Sequence, residues 1–248
     1  MDGWSELARA RTNAGDLLVL RERAGCVELR CNGWELMSNR AHHSETALAV
    51  LACAWIAQAE WGRGEGEQHV LSARAECGIA ASAGPCVLIG GLGFGYTVRA
   101  ALDHLPGAAR VVVAEMVPEI IAWNRGPLAP LAGHPLADPR ASVACTDIAA
   151  LLRSAAPASF DAILLDTDNG PDAVMLAGNA ALYGPENLRL IRRALRPAGV
   201  LAVWSADRSP RFAHALHGAG FQWEAHDVPA RGGADDPRHT IYLARDAA

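Results

Sequence analysis

The chain has no lysine: all 22 of its basic residues are arginine, and set against 27 acidic residues they leave a formal charge of −5 at pH 7. That balance argues against the extended cationic face with which nucleic-acid binders hold phosphates, so no nucleic-acid partner is expected. Long apolar runs are also missing. The longest, Ala47 to Ala59, is about a dozen residues, short of the roughly 20 a membrane-crossing helix needs, and it reads as a buried helix with no membrane partner. The first residues lack a basic segment ahead of an apolar one and carry Asp2 and Glu6 instead, so the expectation is no export and a cytoplasmic location. Six cysteines (Cys26, Cys31, Cys53, Cys77, Cys86 and Cys145) form no CxxC pair and have no His at zinc-ligand spacing. They are expected to be reduced, mostly buried and not catalytic, and no metal site is expected. There is no internal repeat, low-complexity tract or coiled-coil heptad.

What the chain does have is length and apolar content. With 248 residues, 51% of them hydrophobic, it can bury a sizeable core as one main α/β domain with a small appendage. The appendage is read over residues 1–45, where DLLVLRER, CVELRC and WELM form short strands broken at Ala24-Gly25 and Asn32-Gly33, turn signals of an antiparallel sheet. Ser44-Glu45 then reads as the N-cap of the apolar helix. The Gly- and Ala-rich stretch from Gly62 to Gly84 is a connection of undefined form. From Cys86 onward, short continuous apolar runs alternate with helical segments, the pattern of buried parallel strands and crossover helices. Strands are expected at 86–90, 110–115, 142–145, 160–166 and 200–205. A late antiparallel pair is expected at 221–228 and 239–245, joined by the charged, Gly-rich segment from Arg231. The fold class is therefore α/β, a doubly wound sheet over residues 46–248 preceded by the small hairpin piece.

The sharpest feature is VLIGGLGFGYTVRAAL, a strand running through Gly91-Leu92-Gly93-Phe94-Gly95 straight into a helix. Alternate glycines let the backbone turn tightly and approach a nucleotide closely, and the helix start offers free N–H groups. A bare GxGxG is also compatible with a purely structural turn. The loop gains weight from its context, because Glu115 ends the next strand about 20 residues on, where such folds hydrogen-bond a ribose. The GxGxG spacing, with Asp147 after the third strand placed to meet an adenine amino group, favours S-adenosyl-L-methionine (SAM) over NAD. Asp147 also suits the N-cap of IAALLR, and one carboxylate can serve both purposes. No Tyr-Lys or His constellation supports an NAD-linked dehydrogenase.

Asp166 closes the fourth strand at the end that faces the ligand crevice of an open α/β sheet, where a carboxylate can orient a protonated amine or take its proton. Alternation turns Asp166 and Asp168 to the same side if the chain stays extended. The competing reading is an Asx turn through Asn169 into Pro171. SNRAHHSE places Arg40, His42, His43 and Glu45 just ahead of the first helix; His42 or His43 is a candidate base or amine-orienting group, and solvated loop histidines are the alternative. Trp204 and Ser205 end the fifth strand, where Trp204 is read as either core or a sulfonium partner. Trp34, Trp55 and Trp123 are assigned to packing, and Arg231, His239 and Thr240 to a possible substrate lid.

These segments together resemble the spermidine synthase-like branch of the class I SAM-dependent methyltransferase superfamily, over roughly residues 15 to 246. The resemblance rests on the N-terminal hairpins, IGGLGFGYTVRAAL, VVVAEMVPEII, the CTD step at Asp147 and FDAILLDTDNGP. It implies a Rossmann-like seven-stranded sheet, a homodimer formed through the N-terminal region, and a SAM or decarboxylated-SAM site. The cofactor contacts it implies are Gly91, Gly93, Phe94, Gly95, Glu115, Met116, Asp147, Ile148 and Asp166. Asp166 matches the first Asp of a motif close to DSSDP and would be the base that deprotonates an attacking amine; Asp168 and His43 complete the catalytic expectation. The sequence departs from the family where the glycine loop reads close to GGGDGG, since Gly93 or Phe94 replaces its Asp, and no tyrosine-containing substrate loop is found near the end. The leading expectation is methyl transfer from SAM to a small amine-type acceptor. Aminopropyl transfer from decarboxylated SAM to a diamine is the alternative, and a non-catalytic partner or sensor on the same fold is a third reading.

Overall fold

The computed structural model describes residues 3–12, 15–61, 84–167, 170–172 and 181–247. Its elements divide into two sheets. The smaller is an antiparallel meander of β1 (Ser5–Arg11), β2 (Leu17–Arg23), β3 (Cys26–Cys31) and β4 (Trp34–Ser38). Ala24-Gly25 and Asn32-Gly33 turn its hairpins with both residues of each pair at positive φ (49° and 77°, 51° and 88°), the geometry that matches the twist of the flanking strands. Leu18, Leu20, Val27 and Leu29 give this sheet its buried face.

The larger sheet has seven strands in the order β10-β11-β9-β8-β5-β6-β7. Its parallel part comprises β5 (Cys86–Gly90), β6 (Arg110–Glu115), β7 (Ala141–Cys145), β8 (Phe160–Leu165) and β9 (Leu195–Ser205). β10 (Phe221–Pro229) and β11 (Arg238–Asp246) follow, with β11 antiparallel to both β9 and β10. Every residue of β5 and β8 is buried. Helices on both faces explain why these strands read as continuous rather than alternating apolar runs. Each fully buried Val, Leu or Ile on them contributes about 1.5–3 kcal/mol of transfer free energy.

The helices are α1 (His43–Trp61), α2 (Tyr96–His104), α3 (Pro118–Asn124), α4 (Ile148–Ser154), α5 (Pro185–Ala194) and α6 (Pro210–Gly218). On one face, α1 lies against α2 and β9, burying Leu48, Ala49, Ala52, Cys53 and Ile56. On the other, α5 presents Leu188, Ile191 and Ala194 to the sheet and keeps its arginines outward. Pro residues open α3, α5 and α6, where the missing N–H costs nothing.

The structure adds to or corrects several sequence expectations. β1 was not foreseen: SELARAR has a weak apolar pattern, and the segment becomes a strand by pairing with β2. α1 begins at His43, so Ser44 is not its N-cap and its hydroxyl is used elsewhere. Trp34 does not pack into the core; it is 74% exposed because it opens an edge strand directly after the Asn32-Gly33 turn. Cys26, Cys31, Cys53 and Cys86 are buried and Cys145 is exposed, while Cys77 and residues 62–83 lie outside the described residues. No described helix is long and apolar enough to cross a membrane.

Candidate functional site

Strand order reverses at β5, which is followed in sequence by β6 on one side but lies beside β8 on the other. At such a switch point the connections leave in opposite directions and open a crevice at the carboxyl ends of the strands. In-register pairing of Gly90 with Ala114 and with Leu165 brings Gly91, Glu115 and Asp166 together at that edge. The ladders run one step further: the Gly91 N–H donates to the Ala114 carbonyl and the Asp166 N–H to the Gly90 carbonyl, both at 2.9 Å.

The glycines have distinct reasons to be glycine. Gly91 has φ +88°, and a Cβ there would come within 2.2 Å of the Asp166 carbonyl oxygen. Gly95, at φ +85°, is the N-cap residue of α2 and faces Pro135 and Asn124. Gly91→Ala is therefore expected to lower stability by about 1–3 kcal/mol through left-handed strain and the backbone clash. Thermal unfolding beside wild type is the measurement; an unchanged midpoint would contradict the close approach.

Glu115 is 8% exposed, and its carboxylate accepts from the Leu92 N–H at 3.0 Å and the Val117 N–H at 2.8 Å. Burial pushes its pKa up, and the backbone donors of Val117, Leu92 and Met116 oppose that rise. The carboxylate thus ties β6 to the glycine loop while still lining the crevice. Asp147 caps α4 by accepting from the Ala149 N–H at 3.0 Å and also lines the crevice. Met116 and Ile148 line the same cavity, as do Gly91, Gly93 and Phe94.

Asp166 also lines the cavity and accepts a hydrogen bond from the Thr97 hydroxyl at the start of α2. Burial raises its pKa to about 6, and the Thr97 hydroxyl works against the rise. The unforeseen neighbour is Glu45, in the first turn of α1. Burial first and the Asp166 charge second push Glu45 up to about 7, with the Ser44 hydroxyl, which donates at 2.8 Å, opposing. The two carboxyl groups are close enough that charging one disfavours charging the other. Tyr96, pushed up to about 12 by burial and by the Glu45 charge, closes this end, with His42 stacked on its ring at 4.1 Å.

The Glu45 shift carries a stability consequence. A carboxyl group whose folded-state pKa is raised binds its proton more tightly folded than unfolded. Its contribution is complete below the unfolded value near 4.5 and is lost as pH rises through about 7. Glu45→Gln is thus expected to gain on wild type in melting temperature between pH 4.5 and pH 8; a difference independent of pH would contradict the buried coupling.

The structure brings Gly91, Gly93, Phe94, Glu115, Met116, Asp147, Ile148 and Asp166 into one cavity, with Leu36, Met37 and Ser38 of β4, Glu45, Tyr96 and Trp204. Gly95 shapes the loop from behind. His43 stands apart: it is exposed, lies beside Gly232 and does not line the cavity. Asp168 lies outside the described residues. Met37 of β4 lies over the glycine loop, since a Cβ on Gly93 would meet its Cε at 3.2 Å. Phe94 turns into the core, 3% exposed.

No family model and no curated protein matches the chain. Among solved structures it is similar to spermidine synthase from Thermotoga maritima, at TM-score 0.67 and 16% identity over 96% of this chain and 72% of that one. It is similar also to a spermidine synthase in complex with the transition state analogue AdoDATO, at TM-score 0.66 and 16% identity over 96% and 71% of the two chains. Human methyltransferase-like protein 13 in complex with SAH aligns at TM-score 0.50 and 19% identity over 66% and 72%. The likeness shows the fold: a seven-stranded, mostly parallel sheet with helices on both faces, as in these structures.

Proposed function

We propose that this protein is a transferase that moves a group from SAM to a small amine-type acceptor, with methyl transfer as the reaction. The observation that carries the proposal is the pairing, in one crevice, of a nucleotide-type cradle (Gly91, Gly93 and Glu115) with two mutually influencing carboxyl groups, Glu45 and Asp166. SAM, when bound, supplies an electrophilic carbon on a sulfonium. Glu115 would hold the ribose hydroxyls, Asp147 the adenine amino group, and Met116 and Ile148 the faces of the base. A carboxyl pair that ionises near neutrality would attract an ammonium group and take its proton, leaving the nitrogen with the lone pair that a nucleophile needs. Asp166, held by Thr97, is the base; orientation of nucleophile, carbon and sulfur in line supplies most of the acceleration.

Aminopropyl transfer from decarboxylated SAM to a diamine is the second reading. It is favoured by the likeness to spermidine synthases over 96% of the chain. Methyl transfer is preferred because Met37 fills the space over Gly93 where an acidic glycine loop would add a carboxylate for the second cation. Incubation with methyl-labelled SAM and a panel of small mono- and diamines tests this directly. Label in an amine supports the proposal; product only with decarboxylated SAM and a diamine would replace it with the second reading.

A further inference from the structure

β11 runs antiparallel to β9 with Thr240 opposite Ser205, so His239 falls just beyond the carboxyl end of β9, on the same edge of the sheet as Asp166. There its ring packs edge-on against Trp204, centroids 4.6 Å apart, and its Nδ1 lies 2.9 Å from the Ser44 hydroxyl. Ser44 is fully buried, and the same hydroxyl donates to Glu45 Oε2 at 2.8 Å. A hydroxyl has one proton to give. While Ser44 gives it to Glu45, Nδ1 must itself donate, which fixes the ring as the Nδ1–H tautomer.

We propose that His239 is a positioning residue for the acceptor site, acting through Ser44 to hold a hydroxyl donor on Glu45 and so setting the pH at which the Glu45–Asp166 pair ionises. The inference rests on the reading of that pair as the amine-handling group. It assigns His239, half-buried against Trp204, to the support of the site rather than to a mobile lid. When Glu45 is charged, the chain Nδ1–H to Oγ, Oγ–H to Oε2 stabilises the charge. When Glu45 is protonated, that donor is no longer needed and the chain can reverse. The other ionisable groups facing this set are Asp166 at the end of β8, Tyr96 at the start of α2 with His42 stacked on it, and Asp207 beyond β9, whose charge favours a protonated His239. Burial of the ring outweighs Asp207 and keeps His239 below its ordinary pKa, consistent with a neutral donor.

The test is a carbon NMR titration of protein labelled at the glutamate side-chain carboxyl carbon, with the Glu45 signal assigned by its loss in Glu45→Gln. His239→Phe and Ser44→Ala are expected to raise the Glu45 midpoint by about one pH unit, roughly tenfold in proton affinity. His239→Asn, which can still offer an N–H near the Nδ1 position, is expected to stay close to wild type, and Asp166→Asn to lower the midpoint. An unchanged midpoint in His239→Phe would overturn the proposal whatever Ser44→Ala shows, and His239→Leu decides it if the phenylalanine variant does not fold. Because the titration needs no ligand, its result is separate from SAM calorimetry on the same samples, whose failure would strike the proposed function instead.

Discussion

Replacing Asp166 by Asn is expected to lower turnover by about 10²–10⁴-fold, the range for removing a positioned general base. Affinity for SAM should change little. The amide has the shape of the carboxylate and can still accept from the Thr97 hydroxyl, and the backbone link from the Asp166 N–H to Gly90 is untouched. What is lost is the ability to take a proton from the acceptor and to hold its cationic form. The pH profile gives a second reading of the same claim. Rate should rise with pH across about 6 to 7 as the pair loses its proton, since the base works only when ionised. In Asp166→Asn that rise should shrink with the rate. Equal loss of cofactor affinity and turnover would instead place Asp166 among the cofactor contacts only.

Glu115→Ala is expected to weaken SAM binding by about 100-fold, the equivalent of roughly 2.7 kcal/mol, measured by calorimetry. Two losses combine. The ribose loses a charged acceptor, and the N–H groups of Leu92 and Val117 lose the carboxylate that organises the glycine loop. Glu115→Gln separates them, because one amide oxygen can replace only part of the bidentate acceptance; it should fall between wild type and alanine. A Glu115→Ala variant with full affinity would remove Glu115 from the cofactor site.

The cofactor half of the crevice was legible in the sequence because its parts are local. The strand, the glycine loop and the helix are contiguous, and Glu115 and Asp147 each follow a recognisable strand. Of the acceptor half, Asp166 was legible at the end of its strand, but its pairing with Glu45 was not, because that pair forms only when α1 folds over the sheet. Glu45, written ahead of an apolar run, looks like part of a helix start; nothing local shows that Asp166 will lie near it. Its one signal was an acidic side chain leading a long, almost wholly apolar helix. His239 was read only as the first residue of a late strand and a member of a substrate lid, since its partner Ser44 is 195 residues away in sequence. Trp34 failed for the opposite reason: an aromatic residue in a strand usually packs, but its place at the tip of an edge hairpin leaves it exposed.

The most direct measurement is calorimetric titration of the wild-type protein with SAM, decarboxylated SAM, methylthioadenosine and NAD. Binding of SAM in preference to the other three is the predicted result. Failure to bind any adenosyl ligand would contradict the account at its centre.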